Sequence, residues 1–284
     1  MITSADISVI IPTRDRAHCL GRALESVLAQ TAPPDEIIVI DDGSTDDTPT
    51  LVSGYSGVRF VRQPTAGVSS ARNRGIRETR CGWLAFLDSD DTWEPAKLQQ
   101  QCDALTARPG FLVCHTDEVW IRHGRRVNAM NKHAKHGGMI FDKCLPRCVI
   151  SPSSVMIHRR LFDLVGTFDE DLPACEDYDL WLRICARYPV LYIEDRLITK
   201  YGGHDDQLSR RFRAMDRFRL RALEKILDEG DLYDADARAA RETLLEKADI
   251  LIRGARRHGN HDLAQRCETL RSRFAVHPPG GVQT

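Results

Sequence analysis

The first third of the chain alternates short apolar runs with segments in which apolar residues recur at helical spacing. The apolar runs predict four strands: Ile7 to Ile11, Glu36 to Ile40, Val58 to Val61 and Trp83 to Leu87. The periodic segments predict three helices: around Leu20 to Leu28, from about Asp47, and over Ser69 to Thr79. Strands buried on both faces read as continuous apolar runs, so the pattern predicts an α/β fold with a mostly parallel sheet flanked by helices.

The pattern is less regular after Leu105. Further strands are predicted at Phe111 to His115, Val119 to Ile121, Ser154 to His158 and Val190 to Ile193, and a helix over Glu176 to Tyr188. The segment from Arg122 to Gly137 holds five Lys or Arg residues, three His residues and no acid. It is interpreted as a mobile loop, either a solvated surface loop or a flap that closes over an anionic ligand.

Three helical stripes follow Ala214 and predict a helical C-terminal appendage. These helices are expected to pack on the main domain, on a second copy of the chain in a homo-oligomer, or on another partner. The segment from His277 to Gly281 is predicted to be disordered. Three regions are therefore expected: residues 1–105 and 106–212 as two halves of one domain, and residues 213–284 as the appendage.

Composition narrows the class of protein. A formal net charge of −1 over 284 residues argues against a general nucleic-acid binder. Nine scattered cysteines favour a reduced, cytoplasmic protein, and the close pair Cys144 and Cys148 is interpreted as core thiols. No run of about 18 uncharged apolar residues occurs and no secretory signal is visible, so any membrane contact is expected to be peripheral.

Acidic turns follow three of the predicted strands, at Pro12 to Asp15, Asp41 to Ser44 and Asp88 to Asp91. The carboxyl ends of parallel strands share one edge of a sheet, so these turns are expected to line one crevice. Carboxylates crowded there repel one another unless a cation lies between them. Oxygen ligands favour Mn²⁺ or Mg²⁺ shared with a substrate phosphate, as in a nucleotide diphosphate. The alternative for the last turn is an acidic cap on the following helix.

A fourth segment, Gly67 to Gly75, is predicted to begin a helix beside this edge. Ser69 and Ser70 lie in its first turn, which suits a helix N-terminus. Its two arginines add positive charge near the acids. Arg72 is expected to face the ligand, whereas Arg74 is interpreted as a surface residue.

These motifs resemble, in order and spacing, those of family 2 glycosyltransferases of the GT-A fold, over roughly residues 5 to 210. The resemblance implies that Pro12, Thr13 and Asp42 border the base of a nucleotide-sugar donor, with Arg72 near the base or ribose. It places Arg14 and Ser89 in the same donor-binding set. Asp88 is implied to serve the ribose and the metal shell, and Asp90 to be the direct metal ligand, with Asp91 as the alternative. Many relatives carry an aromatic residue and Asn where this chain has Arg14 and Asp15, which changes how the base is stacked.

The segment from Pro173 to Arg183 resembles the family's Glu-Asp segment before Leu-Trp-x-Arg. Asp177 is the predicted general base for an acceptor hydroxyl, with Glu176 and Asp179 as alternatives. The other interpretation of these acids is favourable placement at the N-terminus of a helix. Trp181 is expected either to line the acceptor sugar, together with Glu176, or to pack in the core.

His204 lies in a segment that matches the family's His-x-x-Gln-x-Ser pattern. It is predicted to complete the Mn²⁺ or Mg²⁺ shell or to donate a hydrogen bond to a phosphate; the alternative is a structural histidine.

The resemblance implies an inverting, metal-dependent glycosyltransferase. Residues 1–105 would bind the nucleotide-sugar, which is expected to be a UDP-sugar, and residues 106–212 would bind the acceptor. The acceptor is expected to be a sugar, a lipid-linked molecule or another hydroxyl compound used in polysaccharide, glycolipid or glycoconjugate synthesis. Two alternatives remain open. One is a sugar-phosphate nucleotidyltransferase, although the segment from Pro12 to Arg16 lacks the Gly-rich loop of that class. The other is a non-catalytic nucleotide-sugar-binding protein.

Overall fold

The structure is a computed structural model that describes residues 1–127, 133–203, 212, 214–229 and 231–275. Its strands are β1 (Ile7–Thr13), β2 (Glu36–Asp41), β3 (Val58–Arg62), β4 (Trp83–Phe86), β5 (Thr92–Trp93), β6 (Val113–Arg122), β7 (Arg125–Val127), β8 (Met156–His158) and β9 (Leu191–Gly202). Its first seven helices are α1 (Ala17–Leu28), α2 (Thr48–Ser53), α3 (Val68–Glu78), α4 (Lys97–Ala107), α5 (Phe141–Cys144), α6 (Arg160–Val165) and α7 (Glu176–Cys185). Three more helices follow, α8 (Asp216–Asp228), α9 (Asp234–Arg257) and α10 (His261–Ala275).

The strands form one sheet in the order β3-β2-β1-β4-β8-β6-β9-β5, with β7 paired to β6. The first four strands are parallel, as the sequence predicts. Strand β8 is antiparallel to β4 and β6, whereas β6 and β9 are parallel. The fold is therefore the predicted α/β sheet flanked by helices, parallel in its first half and mixed in its second.

Hydrophobic side chains cover both faces of the sheet. One core packs α1, α2 and α4 against β1, β2 and β4 through residues such as Leu20, Leu24 and Leu98. The other core lies on the opposite face and includes α3, α5, α6 and α7. Helix α3 approaches β1 closely at Gly75, where a Cβ atom would overlap the side chain of Ile10. Glycine at this position allows α3 to pack closely against β1.

The appendage packs on the main domain. Leu220, Leu223, Leu244 and Leu251 belong to the same buried core as Tyr178 of α7. Polar contacts reinforce this packing: the ammonium group of Lys247 donates to the Pro146 carbonyl at 3.0 Å and to Asp216 at 3.1 Å. Of the three expected arrangements, the structure shows the one in which the helices cover the main domain.

Two strands are longer than the sequence predicts. The segments Phe111 to His115 and Val119 to Ile121 merge into β6, and the strand predicted at Val190 to Ile193 continues to Gly202. The pairing of β6 with β9 shifts register on either side of Asp117. This irregularity lets the polar residues from Glu194 to Arg196 remain exposed while the strand continues. The basic segment after Arg122 includes β7, and residues 128–132 lie outside the described residues.

Candidate active site

A cavity of about 590 Å³ lies at the carboxyl ends of β1, β2 and β4. Residues after these strands form one wall, and the first turn of α7 forms the opposite wall. The end of β9 contributes Lys200 and Tyr201. Ten of the residues expected from the sequence line this cavity: Pro12, Thr13, Arg14, Asp42, Arg72, Asp88, Ser89, Asp90, Glu176 and Asp177. The structure therefore brings together side chains that are as far as 165 positions apart along the chain.

Asp42 is buried and anchors the turn that precedes α3. Its Oδ1 accepts hydrogen bonds from the Ala66 amide and the Gln63 side chain, each at 2.8 Å. Its Oδ2 accepts one from the Gly67 amide at 2.9 Å. Gly67 adopts a φ of 98°, a conformation that glycine reaches without strain. Asp42 thus fixes the entry to α3 while its carboxylate borders the cavity.

Arg72 joins the two walls of the cavity. Its Nη2 donates to Asp88 Oδ1 at 2.7 Å, and its Nη1 donates to Glu176 Oε1 at 2.6 Å. The guanidinium is buried, and its Nε has no hydrogen-bond partner among the described residues. Burial alone would lower the pKa of Arg72, but the charges of Asp88 and Glu176 outweigh it and raise that pKa. Arg72 therefore faces the cavity as expected, with its charge already shared by two carboxylates.

The turn after β4 crowds three carboxylates, Asp88, Asp90 and Asp91, against one wall. Burial, followed by the charge of Asp88, raises the pKa of Asp90. Burial raises the pKa of Asp91 to about 7, although Lys200 opposes this effect. For Asp88 burial acts in the same direction, but the charges of Arg72 and Lys200 outweigh it and lower the pKa. The turn is therefore a site of concentrated negative charge that added positive charge would stabilise.

Asp91 is held by the protein itself. Its Oδ2 accepts a hydrogen bond from the Ser153 hydroxyl at 2.7 Å, and its Oδ1 accepts one from the Tyr201 amide at 3.2 Å. Lys200 Nζ lies 3.7 Å from Asp91 Oδ2 and 5.5 Å from the centre of the Trp120 ring. These contacts place an ammonium group beside the three carboxylates. Sequence reasoning missed Lys200 because it treated β9 as ending at Ile193.

The first turn of α7 contributes Glu176 and Asp177 to the cavity, whereas Asp179, the other alternative base, pairs with Arg183 at 2.7 Å and does not line it. Cys175, which precedes the helix, has a φ of 63°, a left-handed conformation that is uncommon outside glycine. Glu176 is buried and paired with Arg72. Burial, partly opposed by the charge of Arg72, raises the pKa of Glu176. Asp177 is half-buried, and its Oδ2 lies 3.1 Å from the sulfur of Cys148.

The donor set fits a hard divalent cation bound mainly by substrate. Among the described residues, no group of three or more His, Cys, Asp and Glu side chains is arranged to hold a metal ion. Asp88 and Asp90 nevertheless both present carboxylates to the cavity. Mg²⁺ commonly uses one or two carboxylates and completes its shell with substrate phosphates and water. The residues present are consistent with that arrangement.

Trp181 is an expected site residue that the structure places away from the cavity. Trp181 is 1% exposed, belongs to the hydrophobic core and does not line the cavity. From Tyr178 to Cys185 every residue of α7 is buried, so core packing is the role the structure shows for Trp181 and the expected contact with an acceptor sugar is not seen. His204 lies outside the described residues, and its predicted role as a metal ligand stays a prediction.

Comparison with family models places the chain in a known family. The model for glycosyl transferase family 2 matches residues 8–165, and the model for glycosyltransferase-like family 2 matches residues 127–223. The first match covers more than half of the sequence. The chain therefore belongs to glycosyl transferase family 2, a family of glycosyltransferase enzymes.

Individual relatives agree with this assignment. The chain is 28% identical to an uncharacterized glycosyltransferase of Rickettsia bellii, over 73% of this chain and 31% of the relative. It is also 28% identical to the Escherichia coli UDP-Glc:alpha-D-GlcNAc-diphosphoundecaprenol beta-1,3-glucosyltransferase WfgD, over 63% of this chain and 69% of that protein. The chain spans between 31% and 66% of the length of its Rickettsia relatives.

A solved structure shows the same fold. Residues 1–349 of Staphylococcus aureus TarS, in complex with UDP-GlcNAc, superpose with a TM-score of 0.68 at 20% identity, covering 85% of this chain and 71% of that one. The likeness confirms the fold expected from the sequence. In the part of the chain that the structure describes, no helix combines the length and the apolar character needed to span a bilayer.

Proposed function

We propose that this chain is a metal-dependent, inverting glycosyltransferase that moves a sugar from a UDP-sugar to an acceptor hydroxyl. The observation that carries the proposal is the single cavity in which the acidic strand ends meet the first turn of α7. Donor-binding and base chemistry require both sets of groups at one place. The family assignment favours this function over a nucleotidyltransferase or a non-catalytic binding protein.

The nucleoside binds at the ends of β1 and β2. Pro12, Thr13 and Arg14 border the base, and Asp42 accepts a hydrogen bond from it. The Asp42 carboxylate accepts three hydrogen bonds from the described residues. A carboxylate can accept about four, so one position is left for the base. UDP is the proposed carrier because the TarS structure contains UDP-GlcNAc and WfgD is named for UDP-Glc.

The diphosphate binds beside the turn after β4. Asp90, with Asp88 and His204, would hold Mn²⁺ or Mg²⁺, which supplies positive charge for the phosphates. Ser89 lies in the same turn and contributes to the donor site. Lys200 lies on the β9 side beside these carboxylates and neutralises charge on the leaving group there, in addition to the positive charge that a bound cation would supply.

Asp177 acts as the general base. Its carboxylate removes the proton of the acceptor hydroxyl as that oxygen forms a bond to the anomeric carbon. The bond between the anomeric carbon and the diphosphate oxygen breaks at the same time, and UDP leaves with the electron pair. Attack from the face opposite UDP inverts the configuration. Glu176 is unsuited to the base role because its carboxylate is paired with Arg72.

The proposed setting is synthesis of a cell-surface polysaccharide, glycolipid or other glycoconjugate at the cytoplasmic side of a membrane. The support is the similarity to WfgD, whose name gives a lipid-linked sugar acceptor. The proposed acceptor is therefore a sugar or lipid-linked hydroxyl compound, with peripheral membrane contact.

The first experiment measures donor binding. Isothermal titration calorimetry with UDP is run with Mn²⁺, with Mg²⁺ and with EDTA. We expect binding with either cation and at least tenfold weaker binding in EDTA. Asp90→Ala should lose this cation dependence, whereas Asp47→Asn, an exposed carboxylate outside the cavity, should keep it. Equal binding with and without cation would contradict the metal-dependent part of the proposal.

The second experiment measures turnover. Release of UDP from a panel of UDP-sugars is followed with and without candidate acceptors. Asp177→Asn should bind UDP normally and lose about 10²- to 10⁴-fold in kcat, the usual contribution of general-base catalysis. Full activity in this variant would refute the base assignment. Release of pyrophosphate from UTP and a sugar phosphate would instead identify a nucleotidyltransferase.

A further inference from the structure

Cys148 contacts the proposed base from outside the cavity. Its sulfur lies 3.1 Å from Asp177 Oδ2 and 3.1 Å from the Ile150 carbonyl oxygen. It does not line the cavity, so it has no access to substrate there. Among the nine cysteines it is the one that is half-buried, whereas the other eight are buried. Cys144 lies in the hydrophobic core and Cys148 packs against that core while half-buried, as expected of core thiols from the sequence.

The contact requires a protonated thiol. A carbonyl oxygen and a carboxylate oxygen can only accept hydrogen bonds, so the sulfur must donate to either of them. Burial, followed by the negative charge of Asp177, raises the pKa of Cys148 well above its ordinary value. The thiol therefore keeps its proton at neutral pH and can donate a hydrogen bond to Asp177.

The Asp177 carboxylate is held at both oxygens. Its Oδ1 accepts a hydrogen bond from the Tyr178 amide at 2.7 Å, and its Oδ2 faces Cys148. A general base must keep one lone pair directed at the hydroxyl that it deprotonates. Two donors on the protein side fix the plane of the carboxylate and leave its remaining lone pairs for the cavity.

We propose that Cys148 is a positioning residue for the glycosyl transfer: its S–H group donates to Asp177 Oδ2 and orients that carboxylate towards the acceptor hydroxyl. The inference rests on the proposed function of Asp177 as the base. A thiol is a weak hydrogen-bond donor, so it orients the carboxylate but lowers its basicity less than a hydroxyl would.

Other charged and titratable groups face this pair. The basic groups are Arg72, Lys135 and Arg219. The remaining groups are Cys144, Cys175, Glu176 and Tyr178. All of them are unchanged in the variants of Cys148 described next, so a shift in the pH profile between these variants reports the Cys148 contact.

The kinetic test compares Cys148→Ala, Cys148→Ser and wild type. Cys148→Ala should lower kcat about tenfold with KM for the donor unchanged, and should move the acidic limb of the kcat profile to higher pH, because the charged form of Asp177 loses a donor. Cys148→Ser should restore kcat to within about threefold and move that limb to lower pH, since a hydroxyl is the stronger donor. Cys102→Ala is the matched control; it removes a buried thiol from the core on the opposite face of the sheet and should leave the pH profile unchanged.

The second test does not depend on catalysis. The rate of Cys148 alkylation by iodoacetamide is measured against pH by mass spectrometry, in wild type and in Asp177→Asn. Removing the negative charge should lower the pH at which Cys148 reacts by at least one unit. An unchanged alkylation profile, or identical pH–kcat profiles for Cys148→Ala and wild type, would overturn the inference. A fully active Asp177→Asn would instead overturn the proposed base, so the two failures are distinguishable.

Discussion

Replacing Arg72 by Met should destabilise the protein strongly. The guanidinium is 3% exposed and binds Asp88 at 2.7 Å and Glu176 at 2.6 Å. Methionine fills much of the same space, but it leaves two carboxylates in a buried region without their counter-ion. Breaking a buried ion pair by removing one partner costs about 3–5 kcal/mol. For a protein of this size we expect Tm to fall by roughly 6–15 °C.

Arg74 provides a matched control on the same helix. Its side chain is 44% exposed and pairs with Glu78 at 2.6 Å, four residues along α3. Exposed pairs of this kind contribute about 0.3–0.5 kcal/mol. Arg74→Met should therefore change the free energy of unfolding by less than about 0.5 kcal/mol. Urea unfolding followed by circular dichroism measures both variants, with the slope of the transition checked for two-state behaviour.

The destabilisation caused by Arg72→Met should also depend on pH. Burial already raises the pKa of Glu176, and loss of the Arg72 charge raises that pKa further. A carboxyl group whose pKa is higher in the folded state than in the unfolded state binds more protons when folded, so it loses stability as pH rises through that interval. The destabilisation caused by Arg72→Met should therefore be larger at pH 8 than at pH 5. Adding Glu176→Gln should recover part of the loss at pH 8.

A loss below about 1 kcal/mol, or equal losses for Arg72→Met and Arg74→Met, would refute the argument that Arg72 ties the walls of the cavity together. A destabilisation that does not change between pH 5 and pH 8 would show that the unpaired carboxylates reach water in the variant.

Two further substitutions test the packing. Lys97 is fully buried, with its ammonium 3.8 Å from the centre of the Trp93 ring, and burial lowers its pKa to about 7. Between that pH and its ordinary pKa, Lys97 binds fewer protons in the folded state than in the unfolded state. Lys97→Met should therefore stabilise the protein at pH 7, and this advantage should shrink by about 2 kcal/mol at pH 9. Urea unfolding at both pH values measures the stability difference between the variant and wild type, and a difference that stays constant would contradict the argument. Gly75→Ala should destabilise the protein by about 1–3 kcal/mol, because the new methyl group overlaps Ile10 and this overlap outweighs the better helix propensity of alanine. A rise in Tm for this variant would show that α3 can move away from β1.

The first half of the fold was predictable because of where its strands lie. Strands β1, β2 and β4 are buried along nearly their whole length, so each reads as an uninterrupted apolar run. Their acidic ends could be assigned to one crevice because parallel strands end on the same edge. The confirmed family assignment followed from these same segments.

The missed parts have local physical causes. Lys200 reaches the cavity because β9 continues past an exposed polar stretch, and only its pairing with β6 reveals this continuation. Cys175 adopts a left-handed conformation that its residue type does not indicate, since Gly and Asn are the usual choices. The contact of Cys148 with Asp177 spans 29 positions and depends on how α7 packs. The sequence contains no periodic signal for any of these three features.

The packing of α8 against the helix that bears Asp177, with α9 packed on α8, has an evolutionary consequence. Substitutions in the appendage can tilt that helix by small amounts, and so alter which acceptors are accommodated, without replacing any side chain at the reaction centre. A directed-evolution library confined to the buried faces of α8 and α9 would then yield enzymes of changed acceptor preference. Transplanting residues 1–203 alone onto a foreign C-terminal domain would, by contrast, leave Tyr178 and its neighbours facing water.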